Sequence, residues 1–177
     1  MNDNSWQQLL VQKHPHLFLR SFRGLPFAPG YPTCPDGWRE IVVTTVERVS
    51  SATRGYPVQF TQISQEFGTL RIYWAAEANL PKPVEYAVEA AIALGEARSA
   101  CSCATCGATG RLFSAGGLLL PACPTHARGK ALPAPRGFKN VYLVREFVRD
   151  DVSAIACRRY DRTRDAFIEV DFSCHER

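Results

Sequence analysis

Two ligand pairs, Cys103-Ala-Thr-Cys106 and Cys123-Pro-Thr-His126, stand sixteen residues apart, and no other feature constrains the folding of this chain as strongly. Side chains three positions apart can reach one tetrahedral ion from a tight turn, and Gly107 after the second cysteine suits the bend of such a knuckle. The interval holds Gly110, Gly116 and Gly117, so we expect a short hairpin that returns the chain to the metal. Cys123 and His126 are then expected at the start of a helix, where backbone N–H groups favour a thiolate. That order defines a treble-clef-like finger over residues 101–130. The segment has few large apolar side chains, so metal binding, worth on the order of 10 kcal/mol in such modules, must replace a local core. A Cys3His set fills four positions and leaves none for water, which makes one Zn2+ structural rather than catalytic. Cys101 is a weaker candidate, because Cys101-x-Cys103 makes a poorer knuckle.

Seven cysteines are an odd number, and the polar start Met1-Asn2-Asp3-Asn4-Ser5 lacks the basic-then-apolar profile of an export signal. Thiols and metal ligands are therefore expected rather than disulfides. The apolar stretch 115–122 is too short to span a bilayer and is broken by Gly116, Gly117 and Pro121. The expectation is a soluble cytoplasmic protein with no membrane partner. Cys34, Cys157, Cys174 and His175 lack a diagnostic spacing, so a second metal site is left open. His14 and His16 flank a proline and form a weak candidate pair.

Charge is unevenly spread. Residues 97–145 carry Arg98, Arg111, Arg128, Lys130, Arg136, Lys139 and Arg145 and no acidic group, while the flanking stretches are slightly acidic. A zinc ion with three thiolates removes only about one unit from that excess. These cations, with Arg71, are the candidate contacts to a partner or to nucleic acid.

With 46% apolar residues the chain can bury a real core. The pattern predicts a short helix at Trp6–Lys13 and an irregular stretch to residue 35, broken by glycines and prolines. A helix from about 36 to 50 follows, capped by Asp36, with Trp38, Val42, Val46 and Val49 on one face. Its β-branched run Ile41–Val46 leaves a strand as the competing reading. Val58 and Phe60, then Leu70, Ile72 and Trp74, alternate with polar residues around Gly68, as in a hairpin. A second long helix is expected from Pro83 to about Ser99, with Val84, Val88, Ala91 and Ile92 as its stripe. Beyond a Pro/Gly-rich connector, strands are expected at 141–144, at 153–160 and around Ile168, Val170 and Phe172. The fold class is α+β: two helices with a β-hairpin, an inserted zinc finger and a C-terminal antiparallel meander. Residues 1–100 form the core domain, and 138–177 a β segment packed on it.

Four stretches, in order over about residues 14–130, resemble a family of small zinc-finger proteins from bacteriophages and bacterial genomes. They are Pro15-His16-Leu17-Phe18, Cys34-Pro35-Asp36-Gly37-Trp38, the run from Gln62 to Tyr73 containing Glu66-Phe67-Gly68-Thr69-Leu70-Arg71, and the two ligand pairs with Gly107, Gly110 and Ala127. Ser64 and Glu66 stand where that family usually has lysines, so a basic role for the hairpin is not carried over. The resemblance implies a zinc site and a phage or mobile-element setting, and no particular activity.

The leading functional expectation is a non-catalytic accessory or regulatory protein that binds a host protein, such as a component of a defence system, through its aromatic-rich hairpin and tail. The alternative is nucleic-acid binding through residues 97–145, weak, non-specific and salt-sensitive. A metal-dependent nuclease is the third reading. It needs a general-base histidine and further ligands, and only His14, His16 and His175 remain outside the finger.

Overall fold

The computed structural model describes residues 5–149 and 152–170. The first helix, α1 (Trp6–Lys13), starts on a capping box in which the Ser5 hydroxyl accepts from the Gln8 backbone and the Gln8 side chain accepts from Ser5 N. The stretch expected to be irregular holds a one-turn helix, α2 (Pro15–Phe18), and three short strands, β1 (Arg20–Phe22), β2 (Leu25–Phe27) and β3 (Pro32–Thr33). Proline density hid them. Pro15 occupies the first turn of α2, where a missing N–H costs nothing, and β2 carries Pro26 in a two-stranded ribbon.

Asp36–Trp38 form a 3-10 turn that leads into α3 (Arg39–Ala52). Asp36 does not cap the helix as expected; its carboxylate instead accepts the Trp6 indole N–H at 2.9 Å and ties α1 to this turn. The helical reading of the β-branched run holds. Trp38, Val42, Val46 and Val49 are all fully buried, because the stripe they form at helical spacing shares one core with the buried face of a three-stranded sheet.

That sheet is β3-β4-β5, with β4 (Val58–Glu66) antiparallel to β5 (Thr69–Ala76) and parallel to β3. A bulge between Phe60 and Gln62 shifts the alternation, so that Val58, Phe60 and Ile63 all face the core. The hairpin turns on Phe67 and Gly68, both at positive φ, the geometry that matches strand twist. The long helix α4 (Lys82–Ala100) carries Val88, Ala91 and Ile92 into the main core, while Val84 is only half-buried. Gly95 lets α4 approach α3 so closely that a Cβ there would collide with the Thr45 hydroxyl.

The finger contributes β6 (Arg111–Ala115), β7 (Leu118–Ala122) and β8 (Lys130–Ala131), in the order β7-β6-β8. The tail is an antiparallel meander of β9 (Val141–Arg149), β10 (Val152–Asp161) and β11 (Ala166–Glu169). Phe172 of the expected third strand lies outside the described residues. The fold class is therefore the α+β arrangement expected. On α4 the meander lays Tyr160, Tyr142 and Phe167 beside Ala97 and Leu94, and Phe147 packs on Tyr86 at 5.2 Å.

Asp165, in the β10–β11 turn, is the polar clamp of that junction. It takes Arg48 of α3 at 2.6 Å, Arg98 of α4 at 3.2 Å and the Tyr160 hydroxyl. Burial works against its charge, but these donors outweigh burial and hold its pKa below the ordinary 3.8. A depressed carboxylate contributes stability above its unfolded pKa and loses it as pH falls through the folded value. Asp165→Asn should therefore cost about 1–2 kcal/mol at neutral pH. Urea titrations should show a constant gap from pH 8 to pH 5 and a narrowing one below about pH 4.

Candidate metal centre

The first knuckle is built by backbone hydrogen bonds. Gly107 N donates to Cys103 O at 2.8 Å, Cys103 N to Ala108 O at 2.7 Å, and Gly110 N to Cys101 O at 2.9 Å. Gly107 sits at φ +74°, which an L side chain rarely adopts. The second knuckle closes where β7 ends, with His126 N donating to Cys123 O at 3.1 Å. No helix begins there. Cys123 to His126 form a turn, and the chain continues into β8, whose Lys130 pairs with Ser114 of β6. Gly129 at φ +77°, followed by Pro133 and Pro135, favours a third strand over a helix. The expected treble-clef order is thus replaced by two knuckles on a three-stranded antiparallel sheet.

The four donor atoms of Cys103, Cys106, Cys123 and His126 lie within 4.8 Å of one another, the only such cluster among the described residues. Cys106 Sγ to Cys123 Sγ is 3.8 Å, and His126 Nδ1 is 3.3 Å from Cys123 Sγ and 3.6 Å from Cys103 Sγ. A tetrahedral ion with metal–sulfur bonds of about 2.3 Å and a metal–nitrogen bond of about 2.0 Å requires edges of about 3.8 Å and about 3.5 Å. The donor set fits a metal ion in kind, number and spacing.

The thiols are also electrostatically prepared. Burial opposes ionisation of Cys103, yet the N–H groups of Cys123, Cys106 and Thr105 bring its pKa down to about 6. Cys123 is lowered as well: desolvation opposes this, and the His126 N–H overcomes it. Cys106 goes the other way. The Ala108 N–H favours its thiolate, but desolvation and the two adjacent thiols outweigh that. A third negative charge in this space needs a cation among the sulfurs.

The neighbouring Cys101 is no ligand; its thiol turns to Ala97 O and Arg98 O, and burial raises its pKa. Cys34 is buried in the main core and pushed up to about 12, and Cys157 lies on β10. Cys174 and His175 lie outside the described residues. His16 contacts Ser50 at 3.3 Å and stands 6.1 Å from His14, ring to ring.

What positions the first knuckle was invisible as a site in the sequence. Gly37 N donates to Ala104 O at 2.9 Å, and the fully buried Trp38 donates its indole N–H to Ser102 O at 3.0 Å. The Cys-Pro-Asp-Gly-Trp segment is thus the seat of the metal knuckle. From the other side, Arg162 of the β10–β11 turn donates to Gly107 O at 2.9 Å. The sequence marked residues 34–38 as a unit only through the family resemblance, with nothing that tied them to the metal knuckle.

The candidate contact residues separate into two groups. Arg71 pairs with Glu96 at 2.7 Å and Arg98 with Asp165, so both are engaged within the fold. Arg111 lies over the Phe113 ring at 5.4 Å, and Arg128, Lys130, Arg136 and Lys139 are exposed on the finger and the connector after it.

Comparison of the chain with protein-family models, curated proteins and solved structures finds no match. The function is therefore argued from the site. No helix among the described residues is long and apolar enough to cross a membrane.

Proposed function

We propose that the protein is a non-catalytic accessory or regulatory protein in which one Zn2+, held by Cys103, Cys106, Cys123 and His126, fastens a binding module together. Soft thiolates with one imidazole in a tetrahedron select zinc over harder cations. The near-complete tetrahedron is also the support for a structural role, since a fourth protein ligand occupies the place a reactive water would need. His14 and His16 sit at α1 and α2, in elements that supply no metal donor, which weighs against a nuclease built on the finger.

The partner of this reading is a protein, and the observation that carries it is Phe67. The residue is 81% exposed at the tip of the β4–β5 hairpin, on a backbone at φ +50°. A large aromatic held outward in a strained turn is poorly explained by packing and well suited to insertion into a partner. Leu143 and Ile155, 77% and 74% exposed on the meander, are two further uncovered apolar side chains. A host protein in a phage or mobile-element setting is the partner class implied by the family resemblance.

Full-length protein on resin should capture a protein from nuclease-treated bacterial lysate, and Phe67→Ser should abolish that capture while leaving metal content and thermal stability unchanged. Capture that vanishes with nuclease, or that survives Phe67→Ser together with Leu143→Ser and Ile155→Ser, refutes this reading.

A further inference from the structure

The acid-free segment does not act as one surface. At its ends, Arg98 is held by Asp165, and Arg145 by Glu85 at 3.7 Å and Glu89 at 3.3 Å. Between them, Arg111, Arg128, Lys130, Arg136 and Lys139 make no ion pair with any carboxylate of the described residues. Three of these five converge. Arg111, Arg136 and Lys139 line a cleft of about 450 Å3 between the start of β6 and the connector 132–140, and no acidic side chain shares the lining. Leu112, Leu132 and Pro133 give the cleft an apolar floor. Lys130, paired with Ser114 on β6, lies on the same sheet outside the cleft.

The cleft is a built feature. Leu132 N donates to Leu112 O at 2.9 Å, Arg159 donates to Gly137 O at 3.0 Å, and Tyr160 N donates to Asn140 O at 2.8 Å. These bonds pin the connector at both ends while its cationic heads stay in solvent. Like charges gathered without counter-charges repel one another, and an anionic occupant relieves that repulsion. Three cations drawn from separate points of the chain around one cleft offer more than one anion position, which suits a repeating anion better than a single one. Two of the three in the cleft are arginines, whose planar forks suit phosphate oxygens. The volume admits a nucleotide or two, and the apolar floor accepts sugar or base faces.

We propose that this cleft binds the phosphate backbone of single-stranded nucleic acid without reading its sequence. Neither Phe67 nor any of the proposed zinc ligands lines the cleft, so it stands or falls independently of the function proposed above.

Fluorescence anisotropy of labelled 20-mers of dT and U with the full-length zinc protein tests this. Both should bind at 50 mM salt. Three phosphate contacts at about 0.7 ion each give a salt slope of about −2, so affinity should drop roughly 15–20-fold by 200 mM. Arg136→Glu with Lys139→Glu should weaken binding at least tenfold at low salt and flatten the slope. Arg39→Glu with Arg54→Glu, an equal charge change away from the cleft, should stay within twofold of the parent. If the glutamate variant loses zinc, Arg136→Gln with Lys139→Gln replaces it in the same assay. The proposal is overturned by a parent protein that binds neither strand at 50 mM salt. It is equally overturned by cleft variants that bind like the parent, by the same loss in the control pair, or by a polyglutamate of equal charge displacing the strands at matched concentration.

Discussion

Removing the metal is expected to melt the finger and spare the core. Residues 101–132 bury only small or sulfur-bearing side chains and one proline: Cys101, Ser102, Cys103, Ala104, Pro121 and Cys123. Phe113 and Leu119 are only half-covered, Leu118 is exposed, and Leu120 packs outward against the main core, so the three strands have little apolar interior of their own to hold them at 25 cal/mol per Å2 or so of buried area. In the proposed zinc form the metal bond supplies that stability, on the order of 10 kcal/mol when formed from protonated, unfolded ligands. The core formed by α2, α3, β4, β5 and α4 rests on Phe18, Trp38, Val46, Phe60, Ile63 and Leu70, all fully buried. Chelation at neutral pH should leave most helical circular dichroism intact. The amides of Ala104, Gly107 and Gly110, which donate within or beside the first knuckle, should lose exchange protection. Cys123→Ser should reproduce this state, with zinc falling from one equivalent per chain to near none. A metal-free parent protein with those amides still protected would remove zinc from the fold.

How far the sequence predicted this fold depends on how local each signal is. The stripe Trp38-Val42-Val46-Val49 and the alternation Leu70-Ile72 needed only periodicity, and both were legible. The ligand pairs were legible because chelation imposes its spacing on contiguous residues. In the sequence Phe67-Gly68 fits packing around a glycine first and a recognition turn second, and Phe67 is exposed; whether a turn residue points in or out depends on what lies beside the hairpin. Gly68 is the constrained member, because a Cβ there would strike the Leu112 side chain of the finger. The expected helix after Cys123 failed because β6 has an open edge, and residues 130–132 fill it. Charge was legible as a sum but not as pairs. Arg98 and Arg145 look the same in the sequence as Arg111 and Lys139 do, and only the approach of Asp165, Glu85 and Glu89 separates them.

Gly37→Ala should damage the metal site without touching a ligand. The residue has an ordinary backbone conformation, so the cost is purely one of space. A Cβ built there would press on Cys103 O and lie 2.6 Å from Ala104 O and 2.7 Å from Ala104 C. These atoms are backbone, fixed between Gly37 N, the Pro121 carbonyl that accepts from Ala104 N at 2.9 Å, and the ligand Cys103 itself. Either the knuckle shifts, pulling Cys103 Sγ from its corner of the tetrahedron, or the 3-10 turn retreats and withdraws Trp38 from the core. Both routes are expensive: overpacking against rigid backbone costs about 3 kcal/mol, and loosening a fully buried tryptophan costs a similar amount. Thermal unfolding of the zinc protein should show that loss, and a chelator competition should show zinc held at least tenfold more weakly. Trp38→Phe supplies the comparison, since it deletes the indole bond to Ser102 O and keeps most of the packing. It should lose roughly 1–2 kcal/mol, with zinc affinity changed less than in Gly37→Ala. Equal zinc affinity in Gly37→Ala and the parent would show that the Cys-Pro-Asp-Gly-Trp segment serves the core alone, and that the knuckle holds its metal without a seat.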